Sequence, residues 1–130
     1  MKFMAIVHAT AESEAGIPPK PELMAAVGKL AEEGFQSGTI VANDGLLPSS
    51  QGVRLKLSDG KITATHGPFT EAKEIVGGFA NMKLDSKEEA VKACKDFMQV
   101  HADIMGRSYK MNCEIRPMFD LGDACGPLTR

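Results

Sequence analysis

Residues 2 to 9, KFMAIVHA, set the first demand on the fold. Read as a strand, they place Phe3, Ala5 and Val7 on one face and Met4 and Ile6 on the other, with His8 continuing the second face. Apolar residues on both faces define a central strand that needs cover from both sides. The rest of the chain must provide that cover or borrow it.

Two helices are available. Pro21 follows a polar loop holding Gly16, Pro18 and Pro19, and it opens a helix at the position where its missing N–H costs nothing. Leu23, Val27, Leu30 and Gly34 then trace one helical face, supported by Met24, Ala31 and Phe35, while Lys29, Glu32 and Glu33 face water and Gly38 suits the C-cap. Further on, Ser86 and Glu89 form a Ser-x-x-Glu capping pattern. Ala90, Cys94, Phe97, Met98, His101, Ile104 and Met105 follow at helical spacing until Gly106.

The strands fill the intervals. TIVANDGLLPSS (39 to 50) begins as a strand and is expected to break at Asn43-Asp44-Gly45, a turn sequence. GVRLKLS alternates Val53, Leu55 and Leu57 against Arg54 and Lys56, as a half-exposed strand does. Ser58-Asp59-Gly60 turns it into KITATH, so residues 52 to 66 read as a hairpin. GGFANMKLD (77 to 85) is another strand. MNCEIRPMF (111 to 119) closes the sheet, with Met111, Cys113 and Ile115 on one face and Asn112, Glu114 and Arg116 on the other. Residues 121 to 130 lack periodicity and read as an irregular tail. Two helices cover only one face of such an antiparallel α+β sheet, so the second face is expected to meet a partner chain in a homodimer.

Composition narrows the function classes. A chain of 130 residues is one domain. No apolar run is long enough to span a membrane, and MKFMAIVHATAE is too short and too alternating for a signal peptide, so the expected compartment is the cytoplasm. Cys94, Cys113 and Cys125 are odd in number and show no paired spacing, which argues for reduced thiols rather than disulfides or a zinc site. A net charge of -2 and the lack of a basic cluster argue against nucleic acid as a partner.

The densest chemistry lies between Thr65 and Phe79, THGPFTEAKEIVGGF. His66 ends a strand before Gly67-Pro68, a place for a general acid or base, or for a loop histidine bonding a backbone carbonyl. Glu71 and Glu74 share a face if the segment is helical, with Lys73 directed elsewhere; they read as pocket groups or as a solvated charge run. Asp44 can orient an imidazole or simply form the turn. His8 and His101 read as core or interface histidines, His8 being near enough to its strand end to border a pocket. Glu114 and Arg116 read as an ion pair. Gly77-Gly78 lacks the following helix that a phosphate-cradling loop needs.

The same stretch resembles the YCII-related proteins, specifically the subgroup named for an Asp-Gly-Pro-Phe motif. Gly67, Pro68, Phe69, Glu71, Lys73, Glu74, Gly77, Gly78 and Phe79 match, and MKFM, DGLLP, DGKI and EIRPM look like the corresponding family segments over roughly residues 1 to 120. His66 stands where the subgroup has aspartate, and Glu22 stands near the place of a histidine common in the wider family. The resemblance implies a ferredoxin-like βαββ(β)βαβ domain over residues 1 to 120 that pairs into a dimeric α/β-barrel, and an enzymatic function without an assigned reaction. The expectation is a pocket between the sheet and residues 66 to 74 that holds an unidentified small molecule. There His66 would transfer a proton, Asp44 or Glu71 would orient it and Lys73 would stabilise negative charge, with Phe69, Glu74 and His8 as binding residues. No redox cofactor motif is present, which favours proton-transfer, lyase or hydrolytic chemistry. The alternative is a metabolite-binding or regulatory module without catalysis.

Overall fold

The computed structural model describes residues 1–70 and 74–119. β1 (Lys2–His8) is paired on both sides, antiparallel to β5 (Val76–Lys83) and to β6 (Cys113–Pro117), while β2 (Ile40–Gly45) pairs with the other edge of β5. The sheet order is β2-β5-β1-β6. β1 is central, as its two apolar faces require: Phe3 and Ala5 are buried on one, while Met4 and Ile6 are half-buried on the other.

α2 (Pro21–Ser37) and α3 (Lys87–Met105) lie over the face that carries Phe3 and Ala5. Phe3 and Ala5 meet Met82 of β5 and Ala90 and Cys94 of α3, with Cys113 and Ile115 of β6 packed around them. Phe3 has no exposed surface, and burial of its ring contributes about 2 to 3 kcal/mol. The arrangement is an α+β domain with an antiparallel sheet, consistent with a ferredoxin-like fold.

Both long helices begin and end where their caps dictate. Pro21 occupies the first turn of α2, and Gly38 takes the left-handed C-cap at φ 80°, donating its N–H to the Phe35 carbonyl. The apolar stripe of α2 is narrower than the sequence suggests. Leu23 is buried, but Met24 and Phe35 are 60% and 46% exposed, since each lies one residue, about 100° of rotation, off the line through Leu23 and Gly34. At the start of α3 the Ser86 hydroxyl accepts the Glu89 N–H at 3.3 Å, whereas the Glu89 carboxylate reaches back to the Asp85 N–H at 3.0 Å rather than to that of Ser86.

Three local readings change. The polar loop before Pro21 contains a short helix, α1 (Ala11–Glu14), because Thr10 and Ser13 exchange capping bonds of 2.9 and 3.1 Å. Asn43-Asp44-Gly45 is not a turn: these residues continue β2 opposite Ala80, Phe79 and Gly78. Ladder pairing overrides their turn propensity, and Gly78 lets the strands close up, since a Cβ there would lie 3.1 Å from the Asp44 carbonyl oxygen. The hairpin of β3 (Val53–Ser58) and β4 (Lys61–His66) forms as expected, with Asp59 and Gly60 at φ 52° and 74° in the turn. It is a separate two-stranded sheet, however, and within one chain both of its faces are exposed. No described helix is long and apolar enough to cross a membrane. The expected tail, 121 to 130, lies outside the described residues.

Candidate functional site

The segment from His66 to Phe69 is a clasp. Gly67 donates its N–H to the Gly52 carbonyl at 3.0 Å and lies so close to the Ser49 carbonyl that a Cβ at this position would collide with its oxygen. The Phe69 N–H donates to the Ser49 hydroxyl at 3.0 Å. Ser49 is itself fixed by Glu14, which accepts the Ser49 N–H at 2.8 Å and its hydroxyl at 2.5 Å. Those two bonds hold the Glu14 carboxyl below the usual range, the hydroxyl contributing more. The Phe69 ring is half-buried beneath the Arg54 guanidinium, 3.9 Å from its centroid, a cation–π contact. Gly-Pro-Phe thus fastens the base of the hairpin to α1 and to the Ser49–Gln51 turn, and the Gly67-Pro68 peptide is cis.

His66 is exposed at the end of β4, opposite Val53, with no hydrogen-bond or ion-pair partner among the described residues. Asp44 is exposed on the edge strand β2, and Glu74 is exposed. Glu71 and Lys73 lie outside the described residues, so the constellation expected around His66 is described only in part, and no hydrogen bond or ion pair joins His66, Asp44 and Glu74 among the described residues.

His8 has the partner that His66 lacks. Register between β1 and β6 sets Ile6 opposite Glu114, which carries the Glu114 carboxylate to 3.5 Å from His8 Nε2. The other Glu114 oxygen accepts from Arg116 at 3.1 Å, and this guanidinium is the main cause of the lowered Glu114 pKa. The row Arg116–Glu114–His8 runs across the sheet face away from the helices. His8 Nδ1 and Asn81 Oδ1 are buried without partners among the described residues.

The large concavity lies on the opposite side of the sheet, between it and the helices, with a volume of about 970 Å³. Its body is apolar, with Val7 and Ala80 below and Leu23, Val27, Leu30 and Phe97 above. One end is polar: Thr10, Glu12 and Ser13 from the start of α1, His101 from α3, and Tyr109. His101 Nδ1 lies 2.9 Å from the Phe97 carbonyl oxygen. A carbonyl only accepts, so Nδ1 carries a proton and Nε2 of the neutral ring is an acceptor. The ring is held by Phe97 at 4.6 Å and by the stacked Tyr109 at 6.0 Å. Burial, and then the charge of Glu12, raise the Tyr109 pKa against a hydrogen bond with Thr10, so its hydroxyl stays a neutral donor.

Sequence reasoning places His101 among core histidines and passes over Tyr109. The signal that could find them is the position of His101 four residues after Phe97 on the apolar side of α3, with the chain's sole tyrosine just beyond the helix end.

Cys113 also lines this space, and Cys94 lies against it in the core. The Cys94 S–H interacts with the Cys113 sulfur and draws the Cys113 pKa down to about 7, while the same contact and burial push Cys94 up. Among the described residues no group of three or more His, Cys, Asp or Glu could hold a metal ion.

Strand order, helix placement and connectivity together define a ferredoxin-like α+β domain. Residues 1–108 match the YCII-related domain family, and the chain belongs to that family. The match runs from β1 through α3, and β6, which lies beyond it, completes the sheet. No curated protein matches the chain.

Proposed function

We propose that the protein binds a small, mostly apolar molecule in the cavity between its helices and its sheet. The cavity volume carries the reading. The space, about 970 Å³ and partly open to solvent, falls in the size range of small-molecule sites. Its mostly apolar walls leave water there poorly bonded, and its apolar body with one polar end suits an occupant. Binding is favoured over catalysis because His101 is oriented by a main-chain carbonyl, which fixes its tautomer without the carboxylate that would strengthen it as a base. Titration with Nile red, a neutral apolar dye, tests the reading. Saturable binding of one dye per chain, lost when the cavity is crowded by His101→Trp or Val27→Trp, supports it; absence of saturable binding to the folded wild type removes it.

Homodimer formation belongs to the same proposal. Met4, Ile6 and Phe79 are only half-buried on the sheet face that the helices leave open. Val53, Leu55, Leu57 and Ile62 share one face of the hairpin at 50 to 71% exposure. A two-stranded ribbon is marginal by itself, and a partner chain supplies the missing cover.

The dimer also supports a second reading, acid–base chemistry at His66. Its register opposite Val53 puts His66 on the apolar face of the ribbon, so a partner covering that face would enclose the imidazole. Kinship with the Asp-Gly-Pro-Phe subgroup is likewise proposed, on Gly67, Pro68, Phe69, Gly77 and Gly78, with His66 in place of the motif aspartate.

A further inference from the structure

We infer that the cavity selects an apolar molecule whose head is a hydrogen-bond donor, a hydroxyl or an amine, and that it rejects carboxylates and phosphates. The inference rests on the cavity being a binding site, and it names the chemistry of the occupant.

His101 sets the requirement for a donor. The residue is 8% exposed and forms part of the cavity wall. Its Nδ1–H is committed to the Phe97 carbonyl, and Nε2 has no protein partner among the described residues. Nε2 is not among the atoms sealed off without a partner, so it is open to the cavity space, where a ligand that brings an O–H or N–H to this end can be accepted in the place of water. A carboxylate or phosphate dianion brings only acceptors and leaves Nε2 as it was.

Charge acts in the same direction. The carboxylates of Glu12, Glu33 and Asp96 border the cavity, against the single cation of Lys20 among the described residues, while Asp44, opposite Phe79, projects from the other face of the sheet. Asp96 is already paired with Lys92 at 2.9 Å, which leaves two carboxylates to one ammonium. Glu12 stands at the polar end, near enough to Tyr109 to raise the pKa of its hydroxyl. An anionic head seated beside His101 would therefore face a like charge in a rim where carboxylates outnumber cations, whereas a hydroxyl meets no such penalty and an ammonium is attracted.

Competition against Nile red on the full chain tests the inference. With matched ten-carbon tails, 1-decanol and decylamine are expected to displace the dye at concentrations at least about tenfold below those needed for decanoate. Glu12→Lys, an exposed substitution that does not threaten folding, should narrow or reverse that gap by admitting decanoate. His101→Phe should weaken decanol. Decanoate competing as well as decanol in the wild type overturns the head-group inference while leaving the cavity reading intact. Failure of Nile red itself to bind overturns both.

Discussion

Ser49 and Glu14, 35 residues apart in sequence, are joined by two hydrogen bonds, Ser49 donating its N–H at 2.8 Å and its hydroxyl at 2.5 Å. The same hydroxyl accepts the Phe69 N–H, so one small side chain links α1, the turn after β2 and the end of the hairpin. Ser49→Ala strips the Phe69 N–H of its acceptor at a site where Ser49 is only 6% exposed. The expected loss is about 1 to 3 kcal/mol, read as a lower urea midpoint at unchanged slope.

Acid should erase part of that difference. Glu14 titrates below its ordinary value of 4.5 in the folded chain, so its contribution is complete above the unfolded pKa and fades as pH falls through the lower folded one. The stability gap between wild type and Ser49→Ala is therefore larger near neutrality than in acid below the folded pKa of Glu14, where the carboxyl is neutral in both states. A gap independent of pH would mean that Glu14 takes no part in the clasp.

Gly67 and Gly34 separate two kinds of close contact. A Cβ at Gly67 meets the Ser49 main chain, which cannot step aside, so Gly67→Ala is expected to cost about 3 kcal/mol or to prevent folding. A Cβ at Gly34 meets Cδ1 and Cγ1 of the Ile40 side chain, which must shift to admit it, and the gain of about 1 kcal/mol that alanine brings to a helix offsets part of that cost. Gly34→Ala should therefore destabilise less than Gly67→Ala in thermal melts run alongside.

The two described thiols should react unequally. Cys113, lowered to about 7 by Cys94, is expected to take iodoacetamide faster than Cys94 at neutral pH, with a rate that rises through about pH 7. Cys94→Ala removes the donor and moves that midpoint up toward 9.0, as peptide mass mapping of the alkylated protein would show.

Charge on the hairpin should disrupt the proposed dimer. Leu57→Lys and Ile62→Lys alter cross-strand neighbours that are each 71% exposed in the single chain, so the monomer fold is expected to survive. Sedimentation at micromolar concentration should shift from dimer to monomer. A wild type that already sediments as a monomer defeats the proposal directly.

Much of the architecture is legible because it is written in local periodicity. The two faces of β1, the Pro21 and Gly38 boundaries of α2 and the Asp59-Gly60 hairpin turn depend on neighbours a few residues away. Asp44 shows where that stops: its turn propensity yields to pairing with Phe79, a partner far along the chain. The candidate site is less legible for the same reason. Spacing draws attention to His66 and its charged neighbours, yet the Gly-Pro-Phe chemistry closes on Ser49 and Glu14, and the cavity is assembled from α1, α2, α3 and the sheet. Neither Tyr109 beside Glu12 nor His8 beside Glu114 follows from any run of adjacent residues.

The space between the helices and the sheet also gives the molecule a mechanical character. Whatever part of it water does not fill is volume surrendered on unfolding, so hydrostatic pressure acts on this chain as a denaturant in proportion to its emptiness. An occupant that fills the space stiffens the domain against compression, and the bound form becomes the one that withstands the higher pressure.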